Sequence, residues 1–585
     1  MKQYFGRCFA EQNENKMSVG NEGFTMSLFA TDCGMDDANG HSRPHLRTSA
    51  KTPWGDVVCR VWDDMSAIEY DRMPKPFTMK LEGEHWVCRA VRFYACTDYH
   101  DSYVQTKEYP MFRRDVGEPI YRTVDPIEGN IFFLEDMQSG RAVVLISLNP
   151  DFVTATLVVK GGEVTLDTKT YGMVYGECRV GECEALCRNW YRHAWRCTEL
   201  HTMSNTWGDL NAFNCVSEDF VRRELDAAEQ LGLDIVQIDD GWQKGSTADK
   251  TLRISDGRRI FPGDFWEIKK EKFPNGIKPL MDYAKEKGLR LGVWFAPHSH
   301  RDFEYINRDI AVLKKAHDEW GAKYFKLDMI FIETYKARDR MVQLLDAIYS
   351  FGEGVSVELD VTNGTRMGFL GAARYGTLFM ENRYSGTANL YYPHRVLRNQ
   401  WKLAPYLPTA KFQFELLNPD LRRASYAEDD PFAPATYDMD YLFATVMFTN
   451  PLFWMEVQFL SEHRRAQLKD VMSVWKAHRD RLVKADVTPI GEQPSGRSVT
   501  GFCAVCDDGH GDTAYAVVFR EVTDRETAAL TLPFAATQVE LLASNAEAKL
   551  SVAGNTLTIT LGKERAYADC RFDNTAFVGS CLGYA

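Results

Sequence analysis

Residues 324 to 330, YFKLDMI, set a lysine and an aspartate, Lys326 and Asp328, inside an otherwise apolar run. Such a run is what a parallel strand covered on both faces requires. Side chains two apart on a strand share a face, and burying a charge is costly unless it is paired or put to use. Taken alone, the two residues fit a structural ion pair as well as a working site. The surrounding chain decides.

Outward from this stretch, strand and helix patterns alternate. TMSNTW is followed by the helical EDFVRRELDAAEQLG, then by the strand DIVQIDD. GIKPLMDYAKEKG leads to LRLGVWFAPHS, IAVLKKAHDEWG leads to the opening stretch, and RDRMVQLLDAIYSFG leads to VSVELDVTNG. GTLFMENRY, AKFQFELLNP and YLFATVMFTNP complete eight candidate strands between residues 201 and 485. That alternation predicts parallel strands with right-handed crossovers, and its length suits a (β/α)8 TIM barrel. No glycine-rich nucleotide fingerprint follows any of the strands.

Residues 1–185 alternate β-branched and aromatic residues between turn signals and predict an N-terminal β-sandwich. A helical connector over 186–200 follows it. After 485, VTPIGEQPSGRS reads as a linker, and 486–585 as a C-terminal antiparallel β domain. The multidomain order is therefore sandwich, barrel, β domain, as 585 residues exceed one core.

A formal charge of −13 leaves no basic excess for nucleic acid or an anionic membrane. No apolar stretch reaches the ~18 residues that span a bilayer. The first residues show no secretory h-region, so a cytoplasmic location is expected, with the 14 cysteines as reduced thiols. The single CxxC, Cys503 to Cys506, has no partner pair and lies in strand-like sequence, so no metal is expected.

The polar residues collect where the predicted barrel strands end. Asn205 and Trp207 follow the first strand, and Asp239 and Asp240 the second. Trp294 closes the third, Lys326 and Asp328 the fourth, Asp360 the fifth and Glu381 the sixth. In a barrel these ends converge on one mouth, where catalysis sits. Several carboxylates with aromatics and one lysine suit glycoside hydrolysis, which needs one carboxylate at the anomeric carbon and a second carboxyl to protonate the leaving oxygen. On this reading Lys326 keeps Asp328 ionised and nucleophilic.

These motifs resemble the α-galactosidase group of glycoside hydrolase family 36. QIDDGW at 237–242 resembles the family's IDDGW, and KFPNGIKPL at 272–280 its KFPNGL segment. GVWFAPH at 292–298 resembles GLWFEPE, and KLDMI at 326–330 the nucleophile strand KWDMN. The resemblance implies that Asp328 is the nucleophile and that Asp239 and Asp240 bind the O4 and O6 hydroxyls of a galacto sugar. It further implies that Trp294 faces the ring and that Lys326 binds its hydroxyls. Two departures stand out. LDVTNGTR at 359–366, ending in Arg366, replaces CSSGGGR and puts Asp360 in place of a cysteine on the sugar's C2 side. FMENRY replaces the strand carrying the acid/base aspartate, so Glu381 takes that role with Asp360 as its rival. His298 stands where the family has a rim carboxylate.

The expected function is a retaining exo-glycosidase acting on terminal α-linked galacto-configured sugars of an oligosaccharide or glycoconjugate. An α-N-acetylgalactosaminidase on the same scaffold is the first alternative, since the two sugars differ only at C2. A transglycosylase or an inactive carbohydrate-binding relative is the second. No metal or organic cofactor is implied. Family members often form oligomers, so the resemblance favours a homo-oligomer.

Overall fold

The computed structural model describes residues 2–577 apart from 37–44, 62–66, 82–84, 95–103, 111–113, 120–125, 196–198, 209–211, 253–258, 362–364, 381–389, 507–512 and some single or paired positions. Side chains before residue 60 also lie outside this set.

Eight short strands close into an all-parallel barrel: β1 (Met203–Asn205), β2 (Ile235–Ile238), β3 (Arg290–Phe295), β4 (Tyr324–Leu327), β5 (Ser356–Asp360), β6 (Thr377–Met380), β7 (Phe412–Leu416) and β8 (Asn450–Phe453). Buried side chains fill both faces of β2, β4, β6, β7 and β8, as strands covered by helices require. Glu218–Leu231, after β1, begins with the Ser217 hydroxyl accepting from Phe220 N at 3.3 Å and ends at Gly232, whose φ of 72° suits a residue without Cβ. Tyr335–Tyr349, after β4, is capped likewise by Thr334.

Two expectations need correction. YLFATVMFTNP is not one strand: Met439–Ala444 is helical and β8 begins only at Asn450. A fully buried helix and a fully buried strand both present unbroken apolar runs, so periodicity cannot separate them. VTPIGEQPSGRS is not simply a linker, because Asp486–Gly491 is a strand paired antiparallel with Val499–Val505. That strand lies at the edge of its sheet, the position where Pro489 is tolerated.

Before the barrel, a nine-stranded sheet and a four-stranded sheet share a core in which Tyr70, Phe132 and Leu145 meet Phe77, Leu157 and Leu166. The larger sheet's other face, including Phe93, Phe133 and Val144, joins the barrel's core. After the barrel, a five-stranded and a three-stranded sheet enclose a third core. It takes in Cys503, whose thiol burial pushes well above its ordinary pKa.

One helix, α1 (Cys183–Ala194), ties the three regions together. Trp190 donates to Glu69 at 3.0 Å in the larger sheet, Tyr191 to the Phe369 carbonyl at 2.7 Å, and Arg188 to both oxygens of Asp486 at 2.6 and 2.9 Å. Burial works to raise the Asp486 carboxyl, but Arg188 and then Arg192 pull it down to about 2. Among the described residues no helix is long and apolar enough to cross a membrane.

Candidate active site

The C-terminal ends of β1 to β5 bring together Asn205, Asp239, Asp240, Trp294, Lys326, Asp328 and Asp360. Register explains part of this: Trp294 pairs with Lys326 across β3 and β4, and Lys326 with Glu358 across β4 and β5.

Lys326 is buried, and its ammonium donates to Asp239 Oδ2 at 2.9 Å. It also sits 3.9 Å from the centroid of the Phe379 ring and 4.7 Å from that of Trp454. Burial works against this charge, yet Asp239 first, then Asp360, Glu358 and Asp328, lift the ammonium above the usual lysine range. Asn205 donates to the same Asp239 oxygen at 2.8 Å, and its own Oδ1 accepts from Trp207 N at 2.8 Å. The first two strands are thereby fastened to the fourth.

Asp328 lies one residue beyond β4. The chain turns just after it at Met329, whose φ of 53° is left-handed, while Asp328 N still donates to the Phe295 carbonyl at 3.0 Å. The Lys326 charge helps to keep Asp328 ionised, but Lys326 is not its hydrogen-bond partner. Arg366 is: its Nη2 donates to Asp328 Oδ1 at 2.8 Å while Nη1 donates to the Ile330 carbonyl at 3.1 Å. Trp294 Nε1 donates to Asp328 Oδ2 at 3.2 Å, and Met329 N donates to Oδ1. Burial acts to raise this carboxyl, but Arg366, then Lys326, then the Met329 and Trp294 hydrogen bonds hold it below the ordinary aspartate range. Asp328 remains 18% exposed while Lys326 is 1% exposed, so the carboxylate, unlike the ammonium, reaches the mouth.

Asp240 behaves oppositely. Burial, with Asp239 and Asp328 adding like charge, pushes it up to about 6 even though Thr247 and Gln243 donate to it. Gly241, with φ 126°, lets the chain turn directly after the two aspartates, and a Cβ there would lie 2.8 Å from the Phe213 backbone. Trp242 then donates to the Trp294 carbonyl at 2.9 Å, bracing β3 from beneath.

Two other expected residues fall differently. Trp207 is half-buried and meets Phe213 edge-on at 4.9 Å. His298 is fully buried and is not brought into this group. Its Nδ1 donates to Asp309 Oδ1 at 2.6 Å, and its Nε2 accepts from Phe261 N at 3.2 Å. The histidine thus pins the loop bearing Trp266, whose ring lies 4.3 Å from Phe295 and 6.0 Å from Trp294. Glu381 lies outside the described residues.

One residue escaped the sequence reading altogether. Glu358, two before Asp360 on β5, is fully buried, and neither carboxyl oxygen has a hydrogen-bond partner among the described residues. The signal was available, because VELD carries two acids two apart on a buried strand, as KLD does with its lysine and aspartate.

Among the described residues no cluster of His, Cys, Asp and Glu is arranged to hold a metal ion. The chemistry on offer is that of an ionised carboxylate, open to the mouth, beside a buried cation and hydrogen-bonding carboxyls.

Known proteins resemble this chain in sequence and fold. The Melibiase family profile matches residues 165–329, which take in β1 to β4 and Asp328. "Alpha-galactosidase Mel36A" of Lactobacillus acidophilus is 32% identical over 114 residues, 20% of this chain and 13% of that protein. "Alpha-galactosidase AgaA" of Geobacillus stearothermophilus is 28% identical over 193 residues, 32% of this chain and 23% of that protein. The aligned stretches thus span less than a quarter of either relative. In solved structures the likeness extends further. GH36 α-galactosidase AgaA from Geobacillus stearothermophilus superposes with a TM-score of 0.65 at 14% identity, covering 97% of this chain and 89% of that one. AgaB from the same organism gives 0.67 at 11%, covering 98% and 100%. The chain therefore carries Melibiase-family sequence through the first half of its barrel and, over nearly its whole length, the fold of the GH36 α-galactosidases.

Proposed function

We propose that this chain is a retaining exo-glycosidase for terminal α-linked galacto-configured sugars. The observation that carries the reading is the Asp328 carboxylate, held ionised by Arg366 and Trp294 at the open end of β4, beside the Asp239–Lys326 pair. Its two oxygens are not equivalent. Among the described residues, Oδ1 takes N–H groups from Arg366 and Met329 and Oδ2 the longer bond from Trp294, so Oδ2 is the oxygen proposed to attack C1. Glu381, protonated at rest, donates to the departing glycosidic oxygen. It then removes a proton from water, which displaces Asp328 and restores the α configuration.

Asp239 and Asp240 accept from the O4 and O6 hydroxyls of the sugar, and Lys326 adds a donor beside them. Asn205, Trp207 and Trp294 shape the same subsite, and Arg366 serves it through Asp328. Asp360 faces C2, where a carboxylate can accept from a hydroxyl or from an acetamido N–H, so an N-acetylgalactosamine substrate remains the second reading. Relatives crystallised with raffinose and stachyose fit an oligosaccharide substrate. The working organisation is an N-terminal sandwich over 1–185, a connector over 186–200, the barrel over 201–485 and a C-terminal β domain over 486–585, in a homo-oligomer within the cytoplasm.

The test is hydrolysis of nitrophenyl α-galactoside against nitrophenyl α-N-acetylgalactosaminide. Release of an α-configured sugar from either supports the reading. Turnover of neither, or inversion at C1, overturns it.

A further inference from the structure

At the mouth and interior of the barrel, Asp239, Asp240, Asp328, Glu358 and Asp360 act on one another around Lys326 and Arg366. Arg366 is committed to Asp328 and Lys326 to Asp239. Glu358 is the deepest of the acids by register, opposite Lys326 on β4 and Thr377 on β6. The two titratable groups below it, Tyr324 and His201, are uncharged, with Arg290 beyond them. Burial, and then Glu358 itself, hold the Tyr324 phenol protonated far above its ordinary range. His201, 3.3 Å from the Tyr324 hydroxyl, is pushed down to about 3 by burial and then by Arg290, so it carries no charge. The groups facing Glu358 are therefore Asp360 on its own strand, Lys326, Tyr324 and Asp328 on β4, and Asp239 on β2.

We propose that Glu358 is a positioning residue that carries a proton inside the barrel, leaving the Lys326 ammonium to Asp239, and that losing this proton weakens sugar binding at high pH. The inference rests on reading the mouth as a galacto-sugar site. Deprotonation breaks the carboxyl O–H bond, the electron pair stays on Glu358, and the proton leaves to solvent. The new carboxylate then competes with Asp239 for the single ammonium, and Asp239 loses the orientation in which it accepts from the sugar. Burial supports the protonated state, as do Asp239, Asp360 and Asp328. Lys326 opposes them, and the balance puts the carboxyl at about 8.

The experiment uses the full chain and the nitrophenyl glycoside it cleaves. In the unmodified enzyme KM rises about tenfold as pH passes ~8, while kcat follows only the acid/base group. In Glu358→Gln, KM changes less than about threefold over the same interval and kcat near neutrality is kept. Superimposable KM profiles, or a variant equally impaired at every pH, overturn the proposal. An infrared titration supplies a readout independent of turnover and separates this failure from failure of the glycosidase reading. The spectrum of the unmodified protein minus that of Glu358→Gln should hold a protonated-carboxyl band at neutral pH that is lost as pH passes ~8, whether or not either glycoside is cleaved. A difference spectrum without that band, or a band unchanged above that pH, contradicts the inference.

Discussion

The two halves of the barrel hold their polar groups in different ways. In β1 to β4, every functional side chain is fastened: Asn205 and Lys326 both grip Asp239, Gln243 and Thr247 grip Asp240, and Trp294 points its N–H at Asp328. In β5 and the turn after it, Glu358 has no hydrogen-bond partner among the described residues, and Arg366 reaches back to Asp328. The family profile covers the first half and stops at residue 329. On the proposed reading, the side assigned to the sugar's axial hydroxyl and to the nucleophile is the side the family profile covers. The side assigned to C2 and the leaving group lies beyond it, so substrate choice should be sought there.

The comparison breaks most directly at the nucleophile. Asp328→Ala should lower kcat/KM by about 10⁴-fold or more on either nitrophenyl substrate, with some loss of melting temperature because buried Arg366 loses its partner. A residual rate within tenfold of the parent would remove the first half's claim to the chemistry. Next in size is the acid/base. Glu381→Ala should lose roughly 10³-fold and recover in the presence of azide, whereas Asp360→Ala should not respond to azide. Rescue of Asp360→Ala alone would transfer the role.

Arg366→Lys sharpens the link between the halves. It should cost about 10²-fold in kcat/KM, since a point charge cannot span Asp328 and the Ile330 carbonyl together. Arg366 lowers the folded-state carboxyl, so weakening it raises that value, and the acid limb of kcat/KM should move to higher pH. A limb that stays in place would show that the other contacts set the ionisation. The smallest catalytic effect should come from His298→Ala. Activity should fall less than about threefold, while stability drops by ~3 kcal/mol because Asp309 loses its buried partner, as thermal or denaturant unfolding would report. Large catalytic loss with intact stability would return His298 to the sugar site.

Glu358 links stability to pH with a definite sign. Its folded pKa, at about 8, lies above its ordinary value of 4.5, so the native state binds the extra proton between those values. Stability should therefore fall as pH rises through that window and level off above it, and Glu358→Gln should flatten the slope.

Alternation of strand and helix made the barrel legible, because short unbroken apolar runs and longer stretches of period 3.6 with one polar side leave distinct traces. The trace failed at 441–451, where helix and strand are both wholly buried. Strand ends likewise announced Asp239, Trp294, Lys326 and Asp328. Hydrogen-bond pairing did not follow from spacing: Asp328 takes Arg366, 38 residues on, and Lys326 takes Asp239, 87 residues back. His298 shows the same limit, since its buried partner Asp309 comes from the next helix and nothing local marks the pair.

Incubation with a fluorinated glycosyl inhibitor that accumulates the covalent intermediate, followed by peptide mapping, tests the central claim most directly. The account predicts one sugar per chain, bound as an ester on the peptide containing Asp328. A label on any other residue, or a turning-over enzyme that never accumulates one, would contradict it.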